Sequence, residues 1–173
     1  MWEEAQLEPM EGNTMTEIIE SPIQSIKCWI DGSWKSSDPT MGIGWWCFQG
    51  TDQTLLLGAK CLRRCPLHSE LEALIWAMKN ILSRRIDCQA LETDCSELVS
   101  MVQSPEEWPA FSNLLDDLEL LRVSFSLFSR SLIPRLCNIK ADCLARSSRL
   151  LFSDVTFVNS SPPSWATNHG VTF

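Results

Sequence analysis

The chain has 173 residues, 45% of them hydrophobic and 21% charged, which is long enough for one domain with its own core and short for two. No stretch approaches the ~18 apolar residues of a membrane span, and no basic start leads into an apolar run, which excludes a spanning helix and a secretory signal. The formal net charge of −8 is uneven: residues 1–25 hold Glu3, Glu4, Glu8, Glu11, Glu17 and Glu20 and no Lys or Arg, so the body is nearly neutral. An intracellular location, nuclear or cytoplasmic, is the expectation. Eight cysteines (Cys28, Cys47, Cys61, Cys65, Cys88, Cys95, Cys137 and Cys143) contain no C-x-x-C pair and have no paired histidines near them. They read as buried free thiols acting as small hydrophobes.

In chain order, residues 1–25 lack a hydrophobic period and read as an acidic flexible tail. "IKCWIDGSW" (26–34) alternates as a strand, "GIGWWCFQG" (42–50) is a second and "TLLLGAKCL" (54–62) a third, with short turns that imply an antiparallel meander. From Pro66 to about Leu82 the period becomes helical, with Leu67, Leu71, Leu74, Ile75, Met78, Ile81 and Leu82 in one stripe. A fourth strand is expected at 87–93 and a short helix at 95–103. "PEEWPAFSNLLDDLELLRV" reads as a further helix, residues 124–133 as a fifth strand and 138–151 as a final helix. Residues 153–173, rich in Ser, Pro, Asn and Thr, are expected to be a flexible tail. The domain thus spans 26–152. Its class is α/β (α+β), a mixed sheet with helices on its faces. Gly42-x-Gly44 is too short for a phosphate loop and reads as a place where the strand passes close to a neighbour.

Four acids stand at element ends. Asp31 is at the exit of strand one and Asp94 at the exit of strand four; if these strands are parallel neighbours, their ends lie ~5 Å apart. Glu70 is in the second turn of the long helix, with small Ala73 and Ala77 at i+3 and i+7. Asp142 opens the last helix, one turn after Asn138. Singly they read as a turn residue, a solvated acid, a cap and a macrodipole partner. Gathered in a partly dry pocket they would repel strongly unless cations neutralised them, and hard oxygen ligands suit Mg²⁺ or Mn²⁺. Two such ions ~3.5–4 Å apart are the standard device for in-line hydrolysis of a phosphodiester.

"IDGSW", "HSELEAL", "ETDCSELV" and "PRLCNIKADCLARSSR" resemble, in order and spacing, the ribonuclease H fold. They are most similar to the ribonuclease H domains of plant retrotransposon reverse transcriptases and their stand-alone relatives, over about residues 26–152. The resemblance implies a five-stranded mixed sheet and cleavage of the RNA strand of an RNA–DNA hybrid; the chain is expected to be a monomer. It places Asp31, Glu70, Asp94 and Asp142 at the catalytic, metal-binding carboxylate positions for two Mg²⁺ or Mn²⁺ ions. Glu72 is then a solvated neighbour, and Glu92 a local polar residue rather than an extra ligand. Members of the family commonly carry a histidine before the Pro-Arg of "SLIPR", where this chain has Leu132. Losing a positioned acid/base costs ~10²–10⁴-fold and leaves metal catalysis in place. His68 reads as shaping a helix start and His169 as a tail residue.

Candidate substrate contacts are Lys35, Arg64, Arg135 and Asn138, with Arg63, Lys140 and the ring of Trp34 as further possibilities. There is no basic stripe and no stacking platform of the RNA-recognition sort. Three readings follow: a hybrid-cleaving endonuclease, a catalytically weak relative that binds nucleic acid or protein, and an interaction domain with coincidental acids. Proofreading-type exonucleases want Asp-x-Glu where this chain has Asp31-Gly32-Ser33, and integrase-type sites end in Glu rather than Asp142.

Overall fold

A computed structural model of the chain describes residues 25–63, 68–125 and 129–173. Ile26–Ser33 (β1), Met41–Gln49 (β2) and Gln53–Leu62 (β3) form the expected antiparallel meander. Ala90–Thr93 (β4) pairs parallel with β1, and Ser129–Leu132 (β5) parallel with β4. The β1–β4 pairing needs a crossover, which is made through the helix Ser69–Ser83 (α1). Thr156–Asn159 (β6) pairs antiparallel with the outer edge of β3, so the order is β5-β4-β1-β2-β3-β6.

β2 is the central hydrophobic element, buried at eight of its nine positions, as a strand covered on both faces must be. Its adjacent tryptophans point to opposite faces because the side-chain period of a strand is two. Trp45 enters the core under α1, edge-on to Trp76 with ring centroids 5.8 Å apart. Helices Ser96–Gln103 (α2) and Ser112–Arg122 (α3) complete that layer through Leu98, Leu115 and Leu118. Trp46 stacks on Phe48 at 4.0 Å in the opposite core, beneath Leu144 of the helix Ile139–Arg149 (α4).

Gly44 explains how closely α4 approaches. A Cβ there would lie 2.6 Å from the Ala145 nitrogen and 2.7 Å from the Ala141 oxygen, inside van der Waals contact. The neighbour anticipated for the Gly42-x-Gly44 stretch is therefore α4. The described cysteines are free thiols, and Cys28, Cys47, Cys61, Cys88 and Cys143 are buried. Among the described residues no helix is long and apolar enough to cross a membrane.

Several expectations need correction. The sheet has six strands rather than five, because residues 153–173 do not hang free. They supply β6, which covers the otherwise unpaired edge of β3, and a short helix, Ser164–Thr167 (α5), whose Ala166 is fully buried. Four-residue strands are too short for a periodic signal, and the polar composition concealed this one. The expected helix over 105–123 starts later: Pro105 and Pro109 open two short 3₁₀ turns before α3. The readings for residues 1–24, for the helix start at 66–67 and for the strand at 126–128 lie outside the described residues. Replacing Gly44 with Ala should force α4 outward and lower stability by about 1–3 kcal/mol, read from the denaturant midpoint.

Candidate active site

The chain topology gathers the four acids. Ile30 pairs with Thr93 in the parallel β1–β4 register, so Asp31 and Asp94 follow each other at neighbouring strand ends. On its other side Asp31 faces Gly44, and directly opposed residues of an antiparallel pair project to the same face. The missing side chain of Gly44 thus opens the space through which α4 brings Asp142 beside Asp31. Gly32 plays the same part for α1: a Cβ there would lie 2.9 Å from the backbone carbon of Ser69. The Gly32 N–H donates to Glu70.

Asn138 anchors this arrangement. It is fully buried, and its Nδ2 donates to the Ile30 carbonyl at 2.8 Å, tying the start of α4 to β1 beside Asp31. Its carbonyl accepts from the Asp142 N–H at 3.1 Å. A side chain so enclosed cannot meet substrate, and the expectation that Asn138 is a substrate contact is corrected to a positioning role.

Asp31 is 6% exposed. Burial, then the charges of Glu70, Asp94 and Asp142, and a hydrogen bond with Asp142 push its carboxyl from 3.8 up to about 10. Burial also raises Glu70 to about 7, opposed by the Gly32 N–H; Asp94 raises it further, while a hydrogen bond with Asp31 and the charge of Arg135 lower it. Glu70 Oε2 is buried with no hydrogen-bond partner. Carboxyls crowded in this way must keep protons or meet cations. An all-oxygen donor set with an orphaned buried oxygen fits a hard divalent ion. Among the described residues no three His, Cys, Asp or Glu side chains stand as a ready ligand set. Asp142 Oδ2 is held instead by Arg146 at 2.6 Å, and Asp94 Oδ2 has the exposed Arg135 Nε at 4.0 Å.

A polar cavity of about 470 Å³ opens beside the acids, lined among others by Trp34, Lys35, Glu70, Arg135, Asp142 and Arg146. Lys35, Arg135 and Trp34, the expected substrate contacts, all line this cavity. Arg64 lies outside the described residues. Arg63 lies apart from this cavity and reaches Asp154 at 3.9 Å. Lys140 sits over the Trp46 ring at 4.0 Å, on the other core, where burial lowers its pKa. Glu92 is a buried partner of Lys27 at 2.9 Å. His68 caps α1 without a side-chain bond and lies 4.7 Å from the Phe111 ring.

Sequence reasoning missed Arg146 and Arg149. Arg146 follows Asp142 by four residues on one helix, a spacing that could have flagged the pair. Arg149 carried no such signal: it is buried, donates from Nε to Ser33 Oγ at 3.1 Å and pairs with Asp38. Leu132, opposite Thr93 at the end of β5, is 54% exposed.

The raised carboxyl of Asp31 makes stability depend on pH in a definite sense. The folded chain keeps a proton that the unfolded chain releases above about pH 4, so stability falls as pH rises from there towards 10. In EDTA, Asp31→Asn should flatten that fall and raise the melting temperature at pH 8 by several degrees, ~3 °C for each kcal/mol recovered. Melts of both proteins between pH 5 and 9 check this.

The "Reverse transcriptase-like" family model matches residues 29–148. Among solved structures, RNase H1 from the halophilic archaeon Halobacterium salinarum NRC-1 is 21% identical with a TM-score of 0.64, over 72% of this chain and 96% of that one. LC11-RNase H1, isolated from compost by a metagenomic approach, is 19% identical with a TM-score of 0.66, over 74% and 97%. The same enzyme in complex with an RNA/DNA hybrid is 18% identical with a TM-score of 0.60, over 73% and 98%. No curated protein matches the chain. At such identities the structural likeness speaks for the fold, while the family match covers β1 through nearly all of α4 and with them every acid of the cluster. The chain has the fold of these ribonucleases H and belongs to the reverse transcriptase-like family.

Proposed function

We propose that the chain is a divalent-metal-dependent endonuclease that cleaves the RNA strand of RNA–DNA hybrids. The observation that carries this reading is the gathering of four carboxyls from β1, α1, the end of β4 and α4; burial first, and then the charges of the other three, push Asp31 up to about 10. A solved relative of the same fold, seen in complex with an RNA/DNA hybrid, supports the substrate class.

Asp31, Glu70, Asp94 and Asp142 would hold two Mg²⁺ or Mn²⁺ ions. Such ions supply polarisation of the attacking water and charge stabilisation at the departing 3′-oxygen. The carboxyls act as ligands and not as nucleophiles, which leaves products with 3′-hydroxyl and 5′-phosphate ends. Asp31 would have to give up its proton to serve as a ligand, and a cation would offset both the burial and the neighbouring charges that hold that proton. Lys35 and Arg135 line the cavity as phosphate contacts, and the half-exposed ring of Trp34 offers a surface for a sugar. The nearly neutral body makes binding weak without the metal. The reading extends to a monomer acting in the nucleus or cytoplasm, with the motif likeness favouring an origin in plant retrotransposons.

One observation favours a second reading, a catalytically weak relative that binds nucleic acid or protein. Leu132 is an exposed apolar side chain at the end of β5, the strand next to the one that carries Asp94, and it can neither donate nor accept a proton.

A labelled RNA–DNA hybrid incubated with Mg²⁺ or Mn²⁺ should yield cleaved RNA, and Asp94→Asn should reduce the rate by more than the ~10–100-fold that outer-sphere partners typically cost. Hydrolysis indifferent to Asp94→Asn would point to another site or a contaminant. Metal-dependent binding without hydrolysis would select the second reading. Leu132→His should raise turnover about tenfold or more in the same assay, through the restored acid/base group.

A further inference from the structure

The family match ends at residue 148, yet the segment beyond it is built into the molecule. β6 pairs with β3, Ala166 is buried under α4, where its carbonyl accepts from Cys143 Sγ at 3.4 Å, and Phe173 packs on the second core. His169 and Val171 are thus held between two anchors. Between them and α4 lies a cavity of about 190 Å³, lined among others by Ile139, Asp142, Arg146, Ser147, His169 and Val171. Asp142 and Arg146 also line the larger cavity beside the acids, so the two spaces meet across this one ion pair.

We propose that this second cavity is a nucleic-acid backbone subsite, taking a phosphate and its ribose where the hybrid leaves the catalytic groove over α4. The proposal rests on the hybrid-cleaving reading given above. Arg146 offers a forked guanidinium that can serve Asp142 and a phosphate oxygen together. The exposed imidazole of His169 makes no hydrogen bond or ion pair among the described residues, and it presents an N–H donor in either protonation state. The Asp142 carboxylate facing the cavity is countered by Arg146 at 2.6 Å, so a phosphate does not meet a bare negative charge. Ile139 and Val171 supply apolar walls suited to a ribose. The volume corresponds to roughly six waters of liquid, enough for one phosphate group and too small for a stacked base pair. Half or more of the hydrogen bonds in such complexes go to phosphate and sugar, which is the contact this chemistry offers.

The test measures binding of a fluorescent RNA–DNA hybrid by anisotropy in Ca²⁺, with the full chain. His169→Ala should weaken binding by about 3- to 10-fold, the loss of one hydrogen bond, with an unchanged melting temperature. His169→Gln, which keeps an N–H donor, should recover most of it. If His169→Ala binds like wild type while Lys35→Ala binds more weakly, the subsite is overturned and the functional reading stands. If wild type binds no hybrid, the functional reading fails and the subsite with it. A parallel titration with inorganic phosphate, followed by the His169 ring NMR signals, separates the two sources of phosphate. Signals that move with free phosphate, combined with hybrid affinity indifferent to His169→Ala, would make this a small-anion site and overturn the proposal.

Discussion

The electrostatic tension around Asp31 is the constraint on which the rest of the molecule turns. A carboxyl buried at the end of a central strand, with three other acids around it, is unfavourable in its ionised form, and the free chain meets the difficulty by keeping a proton there. Such a group is a poor contributor to stability and a good receptor for cations, because whatever supplies positive charge relieves the repulsion. The burial that destabilises the ionised chain is therefore the same feature that supports the proposed metal chemistry.

That tension exists because the backbone lets helices come unusually close to strands. Gly32 admits the first turn of α1 against β1, and Gly44 admits α4 against β2. Asn138 then pins the start of α4 to the Ile30 carbonyl. None of these three residues needs to touch a substrate. Each sets a distance, and together they bring Glu70 and Asp142 to Asp31. The tryptophans of β2 hold the opposite constraint: Trp45 and Trp46 fill the two cores, so a one-residue slip in register would send each ring into the core packed around the other.

The C-terminal segment closes what a shorter sheet would leave open. β6 covers the edge of β3, and Phe157, Trp165 and Phe173 extend the second core beyond the family's match. The same segment sets His169 against α4, in a cavity that shares Asp142 and Arg146 with the one beside the acids. In the proposed subsite, edge protection and substrate contact are two consequences of one packing event.

Elements and their order can be read from the residues wherever a segment is long enough to show a period: the meander, α1, α3 and α4 are legible in the sequence. It also singled out the four acids, because each sits at a change of period, and the ordered motifs tied them to one family. It could not show that Asn138 is buried, that Lys140 turns onto Trp46, or that Arg149 reaches back to Ser33 and Asp38, since those contacts join residues more than about ninety positions apart. Nor could it show β6 or the place of His169, because a four-residue strand is specified by the edge it covers and not by its own pattern. Local periodicity follows from which faces of an element are buried, whereas the roles of individual polar residues follow from which other elements arrive beside them. Only the tertiary structure holds that second kind of information.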